Sequence, residues 1–193
     1  MKKLLLLILL LYCSVISAQS LKSDTLNIPI GTTHGYSLMY NCHDCRQSVS
    51  GGISVFCKKG KIKRHVFYQE ISDFYVDEVS LLKINGEDFI YIGSTHTYGH
   101  SQGYLYYLNP VTMKAYPVKS KKDSFKRPDS IHVHKYFDLT KDSKNHFRFG
   151  ASIRTDSGRE GSLGGYYTIK KVKTNEYILI ASKASIGLND EQE

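Results

Sequence analysis

The stretch Val79-Ser80-Leu81-Leu82-Lys83-Ile84-Asn85-Gly86-Glu87-Asp88-Phe89-Ile90-Tyr91-Ile92 decides the fold. Two short runs of aliphatic and aromatic residues flank Asn85-Gly86. Both turn residues tolerate positive φ, so they build the tight turn whose twist matches two antiparallel strands. The same logic repeats on either side. Ile53, Val55 and Cys57 alternate with Ser54 and Phe56, and Lys58-Lys59-Gly60-Lys61 then turns the chain into a second alternating run over 62–71. Leu26, Ile28 and Ile30 also alternate, and Pro29, which has no N–H to donate, confines that strand to an edge. Further strands are expected at 103–108, 114–118, 131–137, 146–153, 166–172 and 177–182. Only 73–82 carries any helical spacing, and it is ambiguous. The expectation is an all-β chain, an antiparallel meander forming a single sandwich or open barrel.

A weak internal repeat of propeller-blade-like hairpins runs through the meander. Its first copy is Phe89-Ile90-Tyr91-Ile92-Gly93-Ser94, a polar loop, Gly103-Tyr104-Leu105-Tyr106-Tyr107-Leu108, a turn and a strand. The second is Phe147-Arg148-Phe149-Gly150-Ala151-Ser152, a polar loop, Gly165-Tyr166-Tyr167-Thr168-Ile169, a turn and a strand. Two copies cannot close a ring of four to eight blades. The first loop covers 94–102; the second is expected to run from Ala151 to Gly164, with Gly161-Ser162-Leu163-Gly164-Gly165 as a turn.

Chain organisation follows from the N-terminus. Lys2-Lys3, the apolar run Leu4 to Leu11 and Ser17-Ala18 before Gln19 have the three parts of a secretory signal peptide. The apolar stretch is too short for a membrane span, which needs about 20 residues. Residues 1–18 are therefore expected to be removed, leaving a single β-rich domain over 19–188 and a frayed acidic tail over 189–193. The expected location is secreted or periplasmic, with no transmembrane span after cleavage. Cleavage would take two lysines from the net charge of +8. The basic clusters at Lys58–Arg64, Lys119–Arg127 and Lys170–Lys173 come without a nucleic-acid fold signature, so no nucleic-acid partner is expected. The first and third read as turn and solvent-face lysines of hairpins.

Four sets of residues could carry chemistry. Cys42-His43-Asp44-Cys45 is a Cys-x-x-Cys pair, which can serve zinc, redox chemistry or a disulfide. With Cys57 it makes an odd number of cysteines in the exported form. The oxidising compartment favours one disulfide among Cys42, Cys45 and Cys57, its pairing open. His96 and His100, and His132 and His134, have spacings at which two imidazoles could share a metal, zinc or copper. The x interval of His132-Val133-His134 puts both on one strand face. No cofactor is otherwise expected. The two long loops, at equivalent strand ends, suggest a polar, partly cationic binding surface of His96, Tyr98, His100, Arg154 and Arg159. Tyrosines 104, 106, 107, 166 and 167 could stack on sugars, though alternation sends about half of them to the core.

Neither a Gly-x-Ser-x-Gly elbow nor a phosphate-cradling loop before a helix is present. The sequence leans away from an enzyme. It reads first as an exported binding or interaction module, with an anionic or carbohydrate-like ligand or an envelope protein as partner. A metal-binding protein or metal-dependent hydrolase using His96, His100, His132 and His134 is one alternative. A structural envelope protein without a small-molecule site is the other.

Overall fold

A computed structural model describes residues 27–43, 51–71, 74–96, 101–121 and 131–188. Every element within them is a strand. The first sheet is β1 (Ile28–Thr33), β2 (Tyr36–His43), β3 (Gly51–Lys59) and β4 (Ile62–Ile71), in that spatial order. The second is β5 (Phe74–Ile84), β6 (Glu87–His96), β7 (Ser101–Leu108) and β8 (Ala115–Pro117), again in order. The chain then contributes β9 (Lys119–Lys121), β10 (Ile131–Lys141), β11 (Phe147–Thr155), β12 (Glu160–Lys173) and β13 (Glu176–Leu188) to a third sheet. There the order is β10-β11-β12-β13-β9, and β9 pairs with β13 in parallel. The fold is all-β and, apart from β9, antiparallel.

The middle sheet lies between the other two, and its sequence explains why. Phe89, Tyr91, Leu105 and Tyr107 share one cluster with Phe147, Phe149, Tyr167, Tyr177 and Leu179 of the third sheet. Ile90, Ile92 and Leu108 share the other with Leu38, Ile53, Val55 and Cys57 of the first. A sheet covered on both faces needs apolar residues at consecutive positions, hence the unbroken runs Phe89–Ile92 and Tyr104–Leu108. The outer sheets need them on alternate residues, as in Ile53, Val55 and Cys57.

The Asn85-Gly86 hairpin forms as read, with φ of 52° and 82°. Pro29 lies on β1, the edge of its sheet, where the register slips between Pro29 and Gly31. The two copies of the repeat fall on equivalent strands: β6, β7 and β8 of the second sheet, and β11, β12 and β13 of the third.

Several expectations are corrected. The ambiguous stretch 73–82 lies largely in strand β5, because Val79 and Leu81 pack toward the first sheet while Leu82 packs toward the third. The segment 151–164 is not a long loop. Residues 151–155 belong to β11, and β12 starts at Glu160, so only four residues turn the chain. Gly161 to Gly165 form strand, paired with β11 on one side and contacting β13 on the other. Glycines that read as a turn are here small strand residues around the buried Leu163. The hairpin turn at His34-Gly35, with φ of 48° and 77°, and strand β2 were not foreseen.

Paired glycines set how the second and third sheets meet. Gly93 on β6 stands opposite Gly103 on β7. The Tyr91 ring lies across both: a Cβ would fall 3.0 Å from it at Gly93 and 2.9 Å at Gly103. At Gly103 the same Cβ would also lie 2.1 Å from the Leu139 carbonyl oxygen on β10. Burial pushes the Tyr91 phenol up to about 12, with Glu78 adding to the shift and the Lys141 backbone N–H opposing it.

Candidate functional site

An open concavity arises where strand lengths differ. Strand β11 begins at Phe147, opposite Tyr167 on β12. Strand β12 continues to Lys173, so no β11 residue stands across from 168–173. The β10–β11 turn and the β5–β6 turn wall this gap. The result is a groove of about 510 Å³ lined by Ile84, Asn85, Asn145, His146, Phe147 and residues 166–169.

Each wall is built locally. In the β10–β11 turn, Asp142 Oδ1 accepts the backbone N–H groups of Lys144 and His146, both at 2.9 Å. Its Oδ2 lies 3.2 Å from His146 Nδ1. The His146 N–H, helped by that of Lys144, holds the Asp142 carboxyl below the usual range. Asn145, at φ 60°, supplies the left-handed residue that returns the chain to β11. His146 thus stands edge-on to Tyr166, with ring centroids 6.0 Å apart. Arg148 lies over the Tyr166 ring at 5.4 Å. Tyr166 is 38% exposed and Tyr167 is 8% exposed, the division that alternation along the strand requires.

A narrower recess of about 160 Å³ continues from the groove, lined by Ile84, Asn85, Glu87, Phe89, Ile169, Lys171 and Tyr177. Lys171 Nζ donates to Glu87 Oε1 at 2.7 Å across the two sheets. The hydrogen bond to Glu87 holds the Lys171 ammonium above its ordinary value. Glu87 Oε2 and the Tyr177 hydroxyl are buried without a hydrogen-bond partner among the described residues. A buried acceptor and a buried hydroxyl in one recess are matched by a group that both donates and accepts. Beyond them, Asn109 Nδ2 donates to Asn175 Oδ1 at 2.7 Å and ties the two sheets' turns together.

Of the binding-loop and metal-ligand residues expected from sequence, none that is described lines the groove. Tyr98 and His100 are outside the described residues, and His96 is the last residue of β6. Arg154 is exposed at the far end of β11 from the groove, with its Nε donating to the Gly158 carbonyl at 3.3 Å. Arg159 belongs to the same turn, and its N–H donates to Thr155 Oγ1 at 3.0 Å. His132 pairs with Arg154 across the β10–β11 ladder. The register of that pairing shifts between Val133 and Lys135. Among the described residues no three His, Cys, Asp or Glu side chains converge as a metal site.

Cys57 is a free, buried thiol, raised above its ordinary value chiefly by burial. It stands opposite Leu38, while Cys42 stands opposite Ile53. Four residues along a strand separate the two rows by about 13 Å. A disulfide spans about 4.4–6.8 Å between Cα atoms, so Cys57 is not the partner of Cys42. Cys42 is itself not free, and Cys45 lies outside the described residues.

The groove escaped the sequence reading because it comes from an offset between β11 and β12 and from the approach of two distant turns. Of its lining, only Tyr166 and Tyr167 are ligand-binding candidates from the sequence. No protein-family model matches the chain, and no curated protein does.

Proposed function

We propose that the protein is an exported binding module whose groove takes a hydroxyl-rich, carbohydrate-like ligand. One observation carries the reading: the Glu87 Oε2 and Tyr177 hydroxyl that lack protein partners in the recess at the groove's inner end. Both atoms have almost no solvent exposure, so a sugar hydroxyl that donates to the first and accepts from the second has to displace the side chains that cover them. The volume of about 510 Å³ is within the range of small-molecule sites. Tyr166 offers a partly exposed ring for stacking, while Asn85 and Asn145 bring amide donors and acceptors to the rim. Export rests on the signal-like N-terminus. In that compartment a Cys42–Cys45 bridge is the pairing that a free Cys57 leaves.

The test is a glycan-array screen of the parent protein, followed by calorimetry on the best oligosaccharide with Tyr177→Phe and Tyr166→Ala. Loss of the Tyr177 hydroxyl is expected to weaken binding about tenfold, equivalent to about 1.4 kcal/mol. Folding stability should hold or rise, because that hydroxyl has no protein partner to lose. Unchanged affinity in both variants, or a parent that binds no glycan, would refute the reading.

A further inference from the structure

The outer face of the first sheet has features that neither the groove nor the core explains. No acidic residue occurs from Gly51 to Gln69, whereas Lys58, Lys59, Lys61, Lys63 and Arg64 fall within that span. All five are exposed, and none has a carboxylate within ion-pair distance among the described residues. Lys58 and Lys63 stand on the outer face, Lys63 Nζ also donating to Asn27 Oδ1 at 2.9 Å, whereas Lys59 and Arg64 follow the inner row of the buried Cys57. Lysines on an edge strand such as β4 can simply guard against sheet-to-sheet association. A guard needs charge alone, and this face also presents aromatic rings.

The register shows how the rings reach it. Phe56 stands opposite His65 and Lys58 opposite Lys63, while Ser54 stands opposite Tyr68. A register shift beside Phe56 leaves Val66 as the extra residue of β4. His65 and Tyr68, three apart in sequence, therefore share one face with Phe56, Lys58 and Lys63. Lys63 Nζ sits 4.2 Å from the centroid of the Phe56 ring, which meets His65 edge-on at 5.4 Å. Tyr68 is 53% exposed and lies across Gly52, where a Cβ would fall 2.1 Å from the tyrosine oxygen. The glycine lets the ring lie flat on the sheet with one side open to solvent. From Lys63 to Tyr68 the surface runs roughly 15 Å, at about 3.3 Å per residue.

We infer that this face docks an anionic polysaccharide. Open aromatic faces stack on the apolar side of sugar rings, and the lysines match carboxylate or sulfate groups spaced along the polymer. The surface is separate from the groove, so its failure would leave the groove reading standing.

The experiment measures binding of the purified protein to immobilised polygalacturonate at several salt concentrations, with single-stranded oligo-dT as the competing polyanion. The double variant Lys58→Glu/Lys63→Glu is compared with Lys114→Glu/Lys170→Glu, which changes net charge equally but lies off this face. Tyr68→Ala tests the ring, and thermal melting verifies that each variant folds. The expected result is about tenfold weaker binding for the first pair and for Tyr68→Ala, with less than about twofold change for the control pair. Equal losses in both pairs would reduce the effect to bulk charge and overturn the proposal. No binding to polygalacturonate, unchanged binding by Tyr68→Ala, or tighter binding to oligo-dT at the same salt would overturn it as well.

Discussion

Replacing Gly103 by alanine tests the way the second and third sheets are stacked. The added methyl would lie 2.1 Å from the Leu139 carbonyl oxygen and 2.9 Å from a ring carbon of Tyr91. Non-bonded heavy atoms prefer about 3.5–4.0 Å, so the β10 backbone would have to retreat by roughly 1 Å or more. That strand is held by β11, and β7 is held by β6 and β8, so neither yields freely. Overpacking of this kind costs about 1–3 kcal/mol, and contact with backbone on a paired strand favours the upper end. Lower entropy of the unfolded chain returns about 0.4–1 kcal/mol. The net loss is then about 2 kcal/mol, or about 4–8 °C in Tm for a chain of this size. Gly164 is the built-in comparison. It pairs with Gly150 as Gly103 pairs with Gly93, but a Cβ there meets only the Phe149 carbonyl oxygen, at 3.8 Å. Gly164→Ala is expected to leave stability unchanged or raise it by up to about 1 kcal/mol, through the lower entropy of the unfolded chain. Urea denaturation followed by far-ultraviolet circular dichroism measures both. The reasoning is refuted if Gly103→Ala stays within about 0.5 kcal/mol of the parent, or if Gly164→Ala loses as much.

Other expectations concern titration, access and the groove. Burial holds the phenols of Tyr91 and Tyr106 at about 12, against 10.0 for the free group. Their contribution to stability is complete below about pH 10 and is lost as pH rises toward 12, because the unfolded phenols ionise first. Alkaline unfolding curves of Tyr106→Phe should fall less steeply over that window than those of the parent; parallel curves would contradict this. Cys57 is expected to resist a thiol reagent in the native state and to react only on unfolding, as read by mass spectrometry; rapid native labelling would place it elsewhere. Asp142→Ala removes the carboxylate that accepts the His146 N–H, so oligosaccharide affinity should fall while the melting temperature drops by only a few degrees. Unchanged affinity would detach His146 from the groove.

Much of the architecture was legible because local chemistry fixes it. Asn85-Gly86 is a hairpin turn in any context that supplies two strands. Pro29 belongs at an edge because it cannot donate to a second neighbour. The repeat was visible as well, and it marks the second, third and fourth strands of successive sheets. Glycine-rich strands were misread for an equally physical reason. A glycine lowers strand propensity locally, and its use at 161–165 depends on neighbours far away in sequence. The candidate site was scarcely legible. Tyr166 and Tyr167 drew attention as residue types, while Glu87, Asn145, His146 and Tyr177 carried no signal of their own.

The sequence by itself determined the class of structure: strands of alternating or unbroken apolar residues, joined by turns whose left-handed residues are glycine or asparagine except at His34 and Met113. It also specified the charge and the signal-like start, from which export is proposed. The tertiary structure decided which faces meet and where the hollows lie. The middle sheet's double burial, the Tyr91 ring over Gly93 and Gly103, and the bulge that brings His65 and Tyr68 to one face depend on register and on packing between strands remote in sequence. A one-residue shift in register moves a side chain to the opposite face, and no local pattern along the chain records it.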